Sequence, residues 1–497
     1  MDNNNSIMQQ KIDEITNLVG SKSELIIKNF DIGKKTSIEG AIIYVNGLSD
    51  KETIDRDILK PLMLHVQEDL SAIQNIEHFL NKKYITMSNS YIETDINKAA
   101  DGIKKGKCSI LIQNCNNFIM VDTTGGVYRT ISDPENETSI KGPRDSFLEN
   151  LEVNISIIKR RLRDKNLTIE KFILGRKSQT DAALIYVDDV VDKELLKEIK
   201  TRIYAIDIDN AIGTAIIDQL IERHTFSLFP QTIATERPDK VQGKLAEGKI
   251  ALIVDGTPFV ATFPTVFFEF FQTVEDYYFR TIVSTFTRII RYMAAFIVLI
   301  LPSVYITLIK FNAELIPSEF IKSIVESRKG IALTPFMSIL SMNLIVEFLR
   351  EGGLRLPSKI GQTLSVVGGI IIGDAALKAK IVSSLTLLIV GTTTIATFLI
   401  PNYEMALSIR LIGFINLIMS NWLGMLGVTI SVFFLLAYLC SLDSYGVPYF
   451  SFKKSNLKSS IIRAPIWMLN NNPESTPNNN PVRQSDFKWK FRRKKNG

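Results

Sequence analysis

The chain has 497 residues, 46% of them hydrophobic, and a formal net charge of +6. That length leaves room for two to four domains and excludes a single small module. Cys108, Cys115 and Cys440 stand in unrelated settings without metal-ligand spacing, which excludes a disulfide framework and a thiolate zinc site.

The apolar residues are unevenly placed: residues 1–287 read as soluble and 288–445 as membrane. The start, MDNNNSIMQQK, lacks the apolar stretch of a signal peptide, so residues 1–23 are read as a polar leader and the soluble half as cytoplasmic. An internal repeat follows. AIIYVNGLSDKE at Ala41–Glu52 and ALIYVDDVVDKE at Ala183–Glu194 share seven of twelve residues at an offset of 142. The same offset pairs Phe30 with Phe172, Gly33 with Gly175, and Gly106-Lys107 with Gly248-Lys249. A register kept that long predicts two tandem α/β domains, 24–125 and 151–264, joined by a polar connector at 126–150. In each, a strand leads to a helix capped by Asp50 or Asp192. Late in the second copy, KIALIVDGTPFVATF predicts two strands joined through Asp255-Gly256, a turn that tolerates positive φ; Asn114 holds the matching place in the first copy.

Residues 265–287 are too acidic to span a bilayer and too aromatic for a solvated linker. They predict an elbow at the headgroup level, anchored by Phe267, Phe268, Phe271 and Tyr277. Four uncharged runs follow: Tyr292–Ile309, Gly330–Val346, Ile381–Tyr403 and Leu411–Leu442, the first holding Pro302 and the last long enough to tilt, project or break near Asn421 or Gly424. The expected fold class is therefore an α/β soluble half of two repeated domains followed by an all-α polytopic transmembrane domain, 288–445.

Within that half, Gly361, Ser365, Gly369 and Gly373 recur every four residues and form a small-residue stripe for close helix packing. Their uncharged segment, Ile360–Gly373, is too short to cross and ends on Asp374, so it reads as re-entrant. Residues 350–380 carry five Lys and Arg against Glu351 and Asp374, net +3, and the tail 446–497 carries eleven against Glu474 and Asp486, net +9. Positive charge inside places both on the cytoplasmic side and favours four spans over six. The tail reads as an anchor on anionic lipid rather than a nucleic-acid binder, and its NNNPESTPNNNP stretch as disordered.

Ionisable groups at membrane depth are costly and usually functional. Asn343, Glu347 one turn later, Asp374 and Thr393 are the candidate ion path, and rings of carboxylates in a homo-oligomer would favour cations. The alternative pairs Glu347 with Arg350 and Asp374 with Lys378 at the interface. With His65, His78 and His224 each alone, and no GxSxG, HExxH, CxxC or P-loop pattern, neither an enzyme nor a cofactor is expected.

FSLFPQTIATERPDK (226–240), EGKIALIVDGTPFVATFPTVFFEFFQTVEDYYFR (247–280), FLREGGLRLPSKIGQTLSVVGGIIIGDAALKAKIVSS (348–384) and RAPIW (463–467) resemble the A-subunit family of bacterial spore germinant receptors, the GerA type. The resemblance covers nearly the whole chain. Two departures fall on the candidate path: that family tends to carry an acid at the place of Asn343 and often Gln at the place of Asp374. The resemblance implies a multi-pass protein of the spore inner membrane, with its N-terminal domains and basic tail facing the spore core. It implies work with a transporter-like B subunit and a lipoprotein C subunit, and a homo-oligomeric ring opening a germinant-gated cation path. A paralogue of the SpoVAF type, linked to dipicolinate release, shares these motifs, and a non-conducting scaffold for the sensor is the alternative from another class.

Overall fold

A computed structural model describes residues 2–20, 24–34, 37–70, 73–125, 134, 136–356, 368–369, 371–450, 460–474 and 476–485. The chain divides into two compact units. An α/β unit holds Met1–Thr225, Thr232–Pro264 and Leu469–Gly497; a helical unit holds Phe226–Gln231 and Thr265–Met468.

In the α/β unit, helix α1 (Asp2–Val19) precedes strands β1 (Leu25–Ile32) and β2 (Ile38–Val45), the short helix α2 (Lys51–Ile54), and strands β3 (Ser90–Glu93), β4 (Cys108–Ile112) and β5 (Phe118–Val121). These strands form one sheet in the order β1-β2-β4-β5-β3. Helix α3 (Leu151–Arg161), strands β6 (Leu167–Leu174) and β7 (Thr180–Val187), helix α4 (Lys193–Tyr204), and strands β8 (Ile233–Thr235), β9 (Ile250–Val254) and β10 (Val260–Phe263) follow. Their sheet has the order β6-β7-β9-β10-β8. Subtracting 142 from β6, β7, β9 and β10 lands on β1, β2, β4 and β5 without a gap.

Alternation along each strand builds the core on both faces of the sheet. On β2, Ile42 and Tyr44 join one apolar cluster, while Ala41, Ile43 and Val45 join the other. That second cluster includes Met8, Ile12, Ile15 and Val19, spaced at helical intervals on α1. Of the polar leader expected over 1–23, Asp2–Val19 is thus a helix packed on the first sheet. Asp50 and Asp192 cap as expected, each accepting from two backbone N–H groups of the helix that follows. Asn114 and Gly256 both adopt positive φ, +67° and +83°.

The two sheets are tied by buried charge. Lys159 on α3 donates to Glu24 at 2.9 Å and to the Asn46 carbonyl at 3.2 Å, and Lys171 on β6 reaches the same carboxylate at 2.7 Å. Burial alone would raise the Glu24 carboxyl, yet the two ammonium groups hold it below the usual carboxylate range.

The helical unit contains α5 (Thr281–Lys310), α6 (Pro335–Leu354), α7 (Ser384–Phe398), α8 (Tyr403–Leu423) and α9 (Met425–Ser441). Helix α5 packs on α7 and α8, and α6 on α7. Among the described residues α5 and α8 are long and apolar enough to cross a membrane, and α7 and α9 are apolar but shorter. One expected run is divided differently, and another breaks at one of the two places expected. The run Ile381–Tyr403 ends as a helix at Phe398, and Asn402 starts α8 by accepting from the Met405 N–H at 2.9 Å. The run Leu411–Leu442 breaks at Gly424, whose φ of +59° ends α8 and begins α9.

Candidate functional site

Four helices converge on a small polar cavity of about 30 Å³ inside the helical unit. Val298 and Pro302 come from α5, Asn343 and Glu347 from α6, Thr393, Thr394 and Thr397 from α7, and Arg410, Gly413 and Phe414 from α8. That volume accommodates about two waters. Helical spacing explains the convergence. Asn343 and Glu347 are one turn apart on one face of α6, as are Thr393 and Thr397 on α7.

Glu347 is held from two sides. Arg350, one turn along α6, donates from Nε at 2.8 Å, and the Arg410 guanidinium of α8 binds the other carboxylate oxygen. Arg350 also donates to the Tyr403 hydroxyl. One carboxylate thus faces two guanidiniums, and the local charge is +1. The threonine hydroxyls donate to their own helix, Thr393 to the Ile389 carbonyl and Thr397 to the Thr393 carbonyl at 2.8 and 2.9 Å, so their lone pairs are what they can offer the cavity.

Three of the four candidate path residues, Asn343, Glu347 and Thr393, therefore meet; Asp374 does not. It is exposed and pairs with Lys378 at 2.7 Å. Within one chain Glu347 is held by arginines and Asp374 lies apart, and the pairs Glu347–Arg350 and Asp374–Lys378 are those given as the alternative to an ion path. Sequence reasoning identified Arg350 as a partner but assigned Arg410 to a connecting loop, because the start of α8 was placed after it.

Of the small-residue stripe, Gly361 and Ser365 lie outside the described residues. Gly373 is buried, and a Cβ there would meet Leu387 Cδ2 at an ordinary 3.6 Å, whereas at Gly369 it would meet nothing within 4 Å. The close backbone approach occurs elsewhere: a Cβ on Gly413 would lie 3.1 Å from the Val298 carbonyl oxygen of α5. Asn416, three residues on, donates to the neighbouring Leu299 carbonyl at 2.8 Å. The Gly413, Asn416 and Ser420 spacing carried that signal in the sequence.

The aromatic elbow folds inward. Phe267 meets Phe271 with tilted rings at 5.3 Å between centroids, Phe271 meets Tyr292 at 4.9 Å, and Phe268 meets Phe450 at 5.2 Å. Phe268 and Phe271 are buried among these rings, and Tyr277 is 37% exposed. Beside them Asp276 is buried and binds Arg288 at 2.8 Å and Arg291 at 2.9 Å, a second acid held by two arginines. Arg463, from the tail, donates to Thr281 Oγ1 at 2.8 Å and to the Tyr277 carbonyl at 3.2 Å. Farther along, Arg483 pairs with Glu247 at 3.3 Å. The tail read as a free lipid anchor is thus folded onto protein at these two cations, and most of its Asn-rich stretch is described and hydrogen-bonded.

The sequence is similar to known proteins over almost its full length. It is 39% identical to the Bacillus subtilis (strain 168) spore germination protein KA, across 96% of this chain and 88% of that one. It is 33% identical to the Bacillus cereus spore germination protein GerLA, across 93% and 94%. The N-terminal domain of the A subunit of the Bacillus megaterium spore germinant receptor GerK3 is 30% identical, with a TM-score of 0.40, covering 52% of this chain and 94% of that one. Residues 13–475 match the Bacillus/Clostridium GerA spore germination proteins, and the chain belongs to that family.

Proposed function

We propose that this chain is the A subunit of a nutrient germinant receptor of bacterial spores, and that its helical unit forms the cation path of a homo-oligomer. The carrying observation is the meeting of Asn343, Glu347 and Thr393 on one polar cavity among four packed helices. In this reading α5 and α8 are among the spans of a multi-pass protein of the spore inner membrane, and the two sheets are tandem copies of one domain on the core side. The partners are a transporter-like B subunit that senses the nutrient and a lipoprotein C subunit. Support for the role in germination comes from the family and from the names of the relatives.

The charge at the site defines what gating must do. With two guanidiniums on Glu347 the cavity repels cations at its described geometry, so opening requires Arg410 to withdraw from Glu347. The test is potassium flux from liposomes holding the chain with its B and C partners. Flux that appears with nutrient and falls with Glu347→Gln supports the reading; flux unchanged by that substitution removes Glu347 from it. A non-conducting scaffold, or an accessory protein of dipicolinate release, is favoured by the same neutralised carboxylate and predicts liposomes that stay silent with every partner present.

A further inference from the structure

The two sheets are alike up to the ends of β5 and β10 and then part. In the first, the chain leaving β5 turns back over α2: Thr124 bridges to Ser49, and the Gly125 N–H donates to the Leu48 carbonyl at 3.2 Å. In the second, the matching residues Val266 and Phe267 belong to the helical unit, where the Phe267 N–H donates to the Tyr449 carbonyl at 2.9 Å. The matching seat, at Val190 and Val191, is nevertheless filled. Asn478 bridges to Val191, and the Asn479 N–H donates to the Val190 carbonyl at 2.9 Å.

The substitution is position for position: Ser49 and Leu48 plus 142 are Val191 and Val190. The glycines beneath agree. A Cβ on Gly106 would lie 3.4 Å from Thr124 Cγ2, and one on Gly248, its counterpart, 3.1 Å from Asn478 Cβ. Asn479 adds a side-chain amide to the Val191 carbonyl at 2.8 Å, and the Arg483–Glu247 pair closes the far end. While seated the segment also closes on itself, the Asn472 and Arg483 N–H groups donating to the Pro481 and Asn470 carbonyls at 2.8 Å.

We propose that residues Asn470–Glu474 and Thr476–Arg483 belong to a releasable strap that fills the seat at Val190 and Val191, just past the end of β7, in place of the diverted chain. The first sheet's version cannot leave, since it continues covalently from β5. The strap can, because it buries no large apolar side chain among the described residues, Val482 being 64% exposed, and its seat consists of a few polar contacts. Seating and release then change what covers Val190 and Val191 without any change in the core of the second sheet.

Hydrogen exchange on the full detergent-extracted chain tests this. The amides of Asn472, Asn479 and Arg483 should be protected by roughly 10- to 1,000-fold, well below the β7 and β9 amides. Asn479→Pro, which removes the donor to Val190, should lower protection at Asn472 and Arg483 at least tenfold and leave β2 and β4 unchanged. Arg483→Gln, a milder change at the other end, should lower protection at Asn479 by a smaller factor. Strap amides that exchange like an unfolded chain, or only together with β7 and β9, overturn the proposal. So does an Asn479→Pro chain whose strap protection is unaltered.

Discussion

Consider removing Glu347 against removing Arg410. The carboxylate is 20% exposed and Arg410 13%, so both are largely desolvated. Glu347→Gln strands two guanidiniums against a neutral amide. Breaking a buried pair costs about 3–5 kcal/mol, and partial exposure places this one near the lower end. Arg410→Gln leaves the Glu347–Arg350 pair at 2.8 Å intact, so the loss is closer to one charged hydrogen bond, about 1.5–3 kcal/mol. The double variant should fall short of the sum by about 1–3 kcal/mol, because the second change removes a charge already stranded by the first. At about 2–4 °C per kcal/mol, thermal unfolding of the detergent-extracted chain should show Glu347→Gln about 6–12 °C lower and Arg410→Gln less affected. Equal single effects that add in the double would refute the shared carboxylate, and with it the assignment of Arg410 as the group that must move.

Glycine substitutions separate packing within a chain from packing between chains. Gly413→Ala pushes a methyl to 3.1 Å from the Val298 carbonyl and should cost about 1–3 kcal/mol, read as a lower unfolding temperature. Gly369→Ala meets nothing within 4 Å and should leave that temperature unchanged; a comparable drop would refute the placement. If Gly369→Ala instead abolishes a homo-oligomer on native gels, its stripe packs between copies. Acid should loosen the α/β unit through Glu24, whose carboxyl is held below its unfolded value of about 4.3. A depressed carboxylate stabilises above that value, and its contribution is lost as pH falls through the folded one. Glu24→Gln should therefore flatten the acid limb below about pH 4.3, measured by near-ultraviolet circular dichroism. Identical limbs would show that Lys159 and Lys171 do not stabilise that charge.

Local rules were legible in the sequence wherever chain neighbours suffice. The 142-residue offset reappears in the strands because both copies alternate the same apolar positions, and Asp50 and Asp192 cap because their carboxylates reach the next turn. Asn343 and Glu347 were legible as neighbours because one helical turn separates them. Helix ends were less so. The break at Gly424 was one of two expected, but Asn402 starts a helix inside a run that hydropathy carries to Tyr403, and this moved Arg410 from a loop onto a helix facing Glu347.

What the sequence determined by itself is the periodicity, the caps, the repeat and the family. Only the tertiary structure decided which distant residues share a site: Arg410 with Glu347, Arg288 with Asp276, and Asn478 in the seat that Val266 left vacant. The physical reason is that backbone hydrogen bonding and side-chain alternation act over a few residues. The partner of a buried charge or an open sheet edge is whichever group packing brings within about 3 Å, from anywhere along the chain.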